Sequence, residues 1–301
     1  MSSRSITIEK VNAAPTCAEH RIDRGQGSIY ARDYAGNGPT FVLMHGFPDN
    51  MHIYDHLIPY LVAGGRRVVA FDFLGFGNSD KQAGASYSFA QQLGDLHAVV
   101  EHLGLGKIVP VAHDASGPAG VNYAIDYPEH VDSLCLLNCA YGTAATKRTP
   151  EIIALFAHSD LQSLTQELLR SPEQFQWVLD FQMRKFTENL EDGQKQHLSG
   201  FLRSLIEDNI KKQPSSIPAF VQMTSQLFEE VARNTKRITQ MEALDIPVKL
   251  IWGENDAYLN TGVAKDFQLH LKHASLHILP AGHWLQIDSP EQVAAIMLGQ
   301  A

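Results

Sequence analysis

The run Val111-Ala112-His113-Asp114-Ala115-Ser116-Gly117 decides how this chain is read. The aliphatic stretch Lys107 to Ala112 leads into it, and a segment of helical period, Ala119 to Tyr127, leads out. A strand that turns sharply into a helix presents its central side chain, and the flanking backbones pack so closely that residues two positions either side must be small. Asp114 has Ala112 and Ser116 at those positions and fits. Ser116 as the presented residue would have Asp114 and Pro118 there, a poor fit. Asp114 is therefore the candidate nucleophile and Ser116 a packing residue of the turn. The plainer role open to Asp114 is that of a helix N-cap, which aspartate commonly fills.

Working outward, strand-like runs alternate with helical ones. Gly27 to Asp33, Thr40 to Met44, Arg67 to Asp72, Lys107 to Ala112 and Val131 to Leu137 are rich in β-branched or aliphatic residues. Tyr54 to Leu61, Phe89 to Leu103 and Ala119 to Tyr127 show apolar residues at three- and four-residue spacing. This alternation predicts an α/β fold, a mostly parallel sheet covered by helices on both faces. From Gly142 the pattern becomes helical throughout, with Leu-, Gln- and Glu-rich segments broken at Pro172, Gly193, Pro214 and Pro218. Alternation then resumes with Val248 to Trp252, Val263 to Leu271, Ser275 to Leu279 and Pro290 to Leu298. Residues 1–141 and 246–301 are thus expected to form the core, and 142–245 a helical cap that excludes water and shapes a pocket.

Two further motifs fall into register with Asp114. The strand ending Ile251-Trp252-Gly253 runs into Glu254-Asn255-Asp256, and Ala281-Gly282-His283-Trp284 follows the next strand. The order Asp114, Asp256, His283 is nucleophile, acid, histidine. Glu254 competes with Asp256 as the acid; the Gly-x-x-Asp spacing favours Asp256. Upstream, Met44-His45-Gly46-Phe47-Pro48 follows a strand and is expected to set the Phe47 N–H opposite that of Ala115 as a two-donor oxyanion hole. His45 and His113 are expected to brace these loops.

With these residues in hand the chain resembles the α/β-hydrolase group that holds haloalkane dehalogenases, epoxide hydrolases and fluoroacetate dehalogenases. The marks are His45 to Pro48, Asp72 to Asp80, His113-Asp114, Gly253 to Asp256 and Gly282-His283, and the likeness covers nearly everything outside the cap. It implies the α/β-hydrolase fold with an eight-stranded sheet, and an alkyl ester formed on Asp114 and resolved by a water that His283 activates. A carboxylate suits that attack because it is ionised at neutral pH and displaces a leaving group from saturated carbon without a base. Attack on an ester carbonyl would instead give an anhydride, a poor intermediate.

The leaving group is less well specified. Haloalkane dehalogenases usually place Trp after the nucleophile and many place Asn in the His-Gly-x-Pro motif; here Ala115 and Phe47 stand there. Epoxide hydrolases protonate the ring oxygen with two tyrosines associated with the cap, and no tyrosine lies between Tyr141 and Tyr258. Fluoroacetate dehalogenases place arginines just after the nucleophile, where this chain has Ala115, Pro118 and Ala119. Asn138 stands where some dehalogenases carry their acid, which leaves that part to Asp256. Carbon–halogen cleavage is the favoured reading, since a halide needs only N–H donors and Trp177 is positioned to supply one. Trp177 is also read as a core residue, among Phe175, Leu179 and Phe181. His158 and Tyr141 are further pocket candidates. Epoxide hydrolysis is the alternative, and a non-catalytic ligand receptor on the same fold the alternative of another class.

Composition narrows the partners. The 301 residues carry 24 Lys and Arg against 33 Asp and Glu, a formal charge of −9, which excludes a basic nucleic-acid or anionic-membrane surface. A small apolar organic substrate and water are expected, handled by a monomer or homodimer. Three cysteines, Cys17, Cys135 and Cys139, make no disulfide framework, and no His or Cys cluster has metal spacing. No cofactor is implied. Residues 1–20, with Arg4, Glu9, Lys10 and Glu19, contain no secretory apolar stretch, so a cytoplasmic location is expected.

Overall fold

The computed structural model describes residues 14–25 and 27–300; the reading of Arg4, Glu9 and Lys10 lies outside them. Eight strands form one sheet: β1 (Ala18–Asp23), β2 (Ser28–Tyr34), β3 (Asn37–Met44), β4 (Arg66–Asp72), β5 (Ile108–Asp114), β6 (Leu134–Cys139), β7 (Val248–Gly253) and β8 (Ala274–Leu279). Their spatial order is β1-β2-β4-β3-β5-β6-β7-β8. β1 and β2, and β2 and β4, are antiparallel, and every later pair is parallel. The core helices are α1 (Ile58–Ala63), α2 (Phe89–His102) and α3 (Gly117–Asp126). Between β6 and β7 come α4 (Glu151–Ala157), α5 (Gln162–Arg170), α6 (Pro172–Thr187), α7 (Asp192–Lys211), α8 (Ile217–Ser225), α9 (Leu227–Thr235) and α10 (Ile238–Glu242). The chain closes with α11 (Thr261–His270), α12 (Leu285–Asp288) and α13 (Pro290–Leu298). This is the α/β-hydrolase architecture.

Parallel strands sandwiched between helices bury both faces and therefore read as continuous apolar runs. In β5 every residue from Ile108 to His113 is buried, and Phe41 to Met44 of β3 likewise. α1 packs on α13 and α2 on α3, which covers the sheet. The edges behave differently. β1, Ala-Glu-His-Arg-Ile-Asp, buries Ile22 alone, so its sequence carries no apolar signal and predicts no strand. The run from Val131 becomes a strand only at Leu134, because Val131 makes a single bridge to Ile108.

Register sets the site. Met44 at the end of β3 lies beside Ala112 of β5, so the loop after Met44 runs past Asp114 at the end of the neighbouring strand. Asp114 pairs with Cys139 after a register shift at His113, as the chain leaves the ladder. Among the described residues no helix is long and apolar enough to cross a membrane.

Candidate active site

Asp114 closes β5 with φ +52°, in the left-handed region that non-glycine residues seldom occupy. Such a residue persists only where its surroundings hold it. Ser116 does much of that holding. Its buried hydroxyl accepts from the His113 N–H at 2.9 Å and lies 2.7 Å from the His113 carbonyl and 3.0 Å from that of Met44. The N-cap position of α3 belongs to Ser116, which makes no side-chain cap bond, so Asp114 does not serve as the cap.

Two backbone N–H groups meet the Asp114 carboxylate. The Phe47 N–H donates to Oδ2 at 3.3 Å, and the Ala115 N–H also acts on the carboxylate. Gly46 makes this approach possible, for a Cβ there would lie 2.4 Å from Oδ2. His283 faces the other oxygen, with Nε2 3.8 Å from Oδ1, while its Nδ1 is 2.7 Å from Asp256 Oδ2. Asp256 is fixed on every side: Oδ1 accepts from the N–H groups of Tyr258 and Leu259 at 2.9 and 3.0 Å, and Oδ2 from Asn138 Nδ2 at 2.6 Å. Glu254, the rival acid, is exposed and makes no contact with His283.

The electrostatics follow from burial and these partners. Burial pushes the Asp114 carboxyl up to about 6; the nearby His283 lowers it, the charge of Asp49 adds to the rise, and the N–H groups of Ala115 and Phe47 oppose it. Burial disfavours the His283 imidazolium, but Asp256, then Asp114 and Asp49, outweigh it and hold the imidazole above its ordinary value. For Asp256 burial is outweighed by His283, Asn138 and the Tyr258 N–H, which keep it low and ionised. His113, behind the site, donates from Nε2 to the His283 carbonyl at 3.0 Å and is pushed down to about 4 by burial and by His283. His45 accepts from the Phe73 N–H at 3.2 Å. Both histidines brace loops.

A cavity of about 320 Å3 opens over Asp114, floored by Phe47, Ala115, His283 and Trp284 and walled by Ile152, Leu179, Met183, Phe186, Phe228 and Val231 from the helices between β6 and β7. Apolar walls with few convergent polar groups are the usual form of a small-molecule site. The three pocket candidates from the sequence lie elsewhere. Trp177 is 62% exposed and stacks on Phe181, because α6 turns its Leu179 and Phe186 face, not Trp177, toward the cavity. It is neither a core residue nor a halide donor. His158 is exposed at the end of α4 and packs its ring on Phe228, outside the cavity. Tyr141 is buried, but its hydroxyl donates to Asn122 Oδ1 at 2.8 Å, where α3 meets α9 through Asn234.

Other residues occupy the places expected of those three. Phe186 of α6 packs against the rings of His283, Trp284 and Tyr258 at 4.8–4.9 Å. Trp284 is held by Asp49, whose Oδ2 accepts from Nε1 at 2.9 Å. Tyr258 lines the cavity, and its hydroxyl donates to Glu151 and accepts from Gln182 Nε2 at 2.7 Å. Only Tyr258 had a sequence signal, its place two residues after Asp256.

A carboxylate partly open to the cavity, an imidazole oriented by a second, buried carboxylate and a pair of N–H donors, all in the turns after strand ends beneath an apolar cavity, define a hydrolase site of the α/β type. A family profile described as alpha/beta hydrolase fold matches residues 39–290, and the chain belongs to that family. It is similar to epoxide hydrolase 3 of Xenopus tropicalis, 27% identical over 95% of this chain and 80% of that protein. A fluoroacetate dehalogenase of Burkholderia sp is 37% identical over 107 residues, 34% of this chain and 35% of that one. Among solved structures, the epoxide hydrolase CorEH superposes with a TM-score of 0.71 at 20% identity, covering 94% of this chain and 98% of that one.

Proposed function

We propose that this hydrolase opens epoxides through an ester formed on Asp114. Oδ1, which His283 Nε2 faces at 3.8 Å, attacks a ring carbon; the carbon–oxygen bond breaks and the oxygen takes the proton of the Tyr258 hydroxyl, which turns to it from Glu151. That phenol is the one tyrosine lining the cavity among the described residues, and burial keeps it protonated by raising it above its ordinary value. His283 Nε2 then takes a proton from water, which adds to the Asp114 carboxyl carbon. The developing charge falls on Oδ2, to which the Phe47 N–H donates, and the Ala115 N–H also acts on this carboxyl. Collapse releases the diol, whose oxygen takes the proton from His283, and the proton left on the Asp114 carboxyl returns through water to the Tyr258 oxygen.

The observation that carries this reading is the orientation of the two N–H groups toward the carboxylate of Asp114 itself. A tetrahedral charge stabilised there belongs to an aspartyl ester, not to a substrate carbonyl. Epoxide opening is preferred to halide release on two grounds: the similarity spanning nearly the whole chain is to epoxide hydrolases, and Trp177 lies outside the cavity. Carbon–halogen cleavage is the second reading, favoured by the local 37% identity to a fluoroacetate dehalogenase.

Intact mass of His283→Gln after incubation with epoxides and haloalkanes tests both. A hydroxyalkyl adduct on Asp114 is expected. An alkyl adduct lacking halogen, with none from any epoxide, would establish the second reading. Ligands recovered unchanged, with no adduct and tight binding, would make the protein a receptor.

A further inference from the structure

The two N–H donors at Asp114 are anchored by different parts of the chain. Ala115 belongs to a core turn, in which the Ser116 N–H bonds the His113 carbonyl at 3.1 Å and the Ser116 hydroxyl reaches Met44 of β3. Phe47 sits in the loop after β3, and among the described residues no backbone–backbone hydrogen bond involves Phe47, Pro48 or Asp49. The Phe47 ring packs on Phe89 and Phe220, contacts without direction. The two carbonyls that follow are taken by one side chain of α7. Asn209, buried, donates from Nδ2 to the carbonyls of Pro48 and Asp49, each at 2.7 Å. Its Oδ1 accepts from the Gly77 N–H at 3.0 Å and from Asn50 Nδ2 at 3.5 Å. Both donors and the acceptor oxygen of the amide are thus spent on the core. Other residues of α7, Ile206 among them, line the cavity, and Asn209 does not.

The two chemical steps use the Phe47 N–H in opposite senses. In ester formation the Asp114 carboxylate gives up charge, so a donor on Oδ2 stabilises the starting state more than the transition state. In ester hydrolysis charge returns to Oδ2, and the donor stabilises the transition state. The Phe47 bond, at 3.3 Å, is already at the long end of the usual range and has no slack to lose. We propose that Asn209 is a positioning residue, a latch through which the helices between β6 and β7 hold the Phe47 N–H in place, so that hydrolysis of the ester depends on their seating and its formation does not. The assignment of the two steps rests on the Asp114 reading; the hold of Asn209 on the loop does not.

Gln222 of α8 supplies the control. It too is an amide that ties these helices to a core loop, its Oε1 accepting from the Tyr87 N–H at 3.0 Å and its Nε2 donating to the Ala85 carbonyl at 3.2 Å. In the full chain, rapid quench and intact mass with styrene oxide and with bromohexane follow the formation and decay of the ester. Asn209→Ala should slow decay by roughly ten- to a hundredfold, the scale of one misplaced oxyanion donor, and leave formation unchanged or faster. The ester should then accumulate in steady state. Asn209→Asp, which keeps an acceptor for Gly77 and loses both donors, should do the same, and Gln222→Ala should change neither step beyond about twofold. Hydrogen exchange needs no chemistry and should rise over Gly46 to Asn50 in Asn209→Ala but not in Gln222→Ala. Equal slowing of both steps, unchanged decay, the same slowing in Gln222→Ala or an undisturbed Gly46 to Asn50 segment would overturn the proposal. If no ester forms in any of the proteins, the Asp114 reading fails and exchange decides the latch, which stands if Gly46 to Asn50 loosen in Asn209→Ala alone and falls otherwise.

Discussion

The floor and the wall of the cavity are built on different terms. On the floor each functional side chain is held by several others: Asp256 accepts from Asn138, Tyr258 and Leu259 and pairs with His283. On the wall, helices α4, α6 and α9 present the side chains of Ile152, Leu179, Met183 and Val231, which make no directional contact, beside Lys147, a lysine with a single acceptor. Groups that must act on bonds are fixed by directional contacts from rigid strand ends, while groups that select a substrate tolerate exchange. Substitutions on the floor should therefore act on rate and stability, and those on the wall on affinity.

The largest effect tests the floor directly. Asp114→Ala should lower turnover by on the order of 10⁴-fold or more, measured in steady state, as removal of a nucleophile does. Activity that persisted would detach the floor from the chemistry altogether. Next comes pH. Asp114 must be ionised to attack, and with its carboxyl raised to about 6 the alkylation step should fall about tenfold per unit below that value, followed as the single-turnover burst of ester formation in the unaltered protein; His283→Gln, which removes the imidazole that lowers this carboxyl, should move the fall to higher pH. A step unchanged down to pH 4 would mean that the floor is less dry than its burial implies.

Smaller effects appear in stability. Asn138→Ala removes the acceptor of the Gly253 N–H and a donor to Asp256 and should cost about 2–3 kcal/mol in denaturant unfolding. Asp114→Asn should do the opposite. A carboxyl whose folded value lies above its unfolded one binds protons more tightly when folded, so the stability it supports is present at low pH and declines as pH rises from about 4 through 6. Removing the charge should recover about 1–2 kcal/mol at pH 7, allowing for a side chain partly open to the cavity. Asparagine also accepts the left-handed backbone at this position. The smallest effect belongs outside both regions: Trp177→Ala should leave kcat and KM unchanged within about twofold, since surface substitutions seldom matter.

The same contrast explains what could be read from the sequence. The turn at Asp114 was legible because its steric rule acts on Ala112 and Ser116, residues close by in the chain. The order Asp114, Asp256, His283 was legible because Asp114 and Asp256 follow buried apolar strands, and His283 follows β8, an edge strand with no fully buried residue whose aliphatic residues still mark it. Trp177 was misplaced because helical period shows which residues share a face, and α6 packs Phe175, Leu179 and Phe186 inward while Trp177 points to solvent. Asn138 was noticed only for lacking a charge; its amide contact with Asp256 joins residues 118 positions apart and has no local mark. Lys147 becomes informative only once the cavity shows what surrounds it.

The helices that wall the cavity occupy residues 140–247, the single crossover between β6 and its parallel neighbour β7. A parallel pair needs a crossover of only about a dozen residues, and each doubling of a connection adds about 0.6 kcal/mol of closure entropy. Growth of that link to its present length therefore raises the chain-entropy cost by about 2 kcal/mol, about what one well-buried leucine returns. Substrate choice in this molecule is written in a segment whose lengthening folding hardly resists, whereas the reacting groups sit on strand ends that cannot shift by one residue without turning inside out.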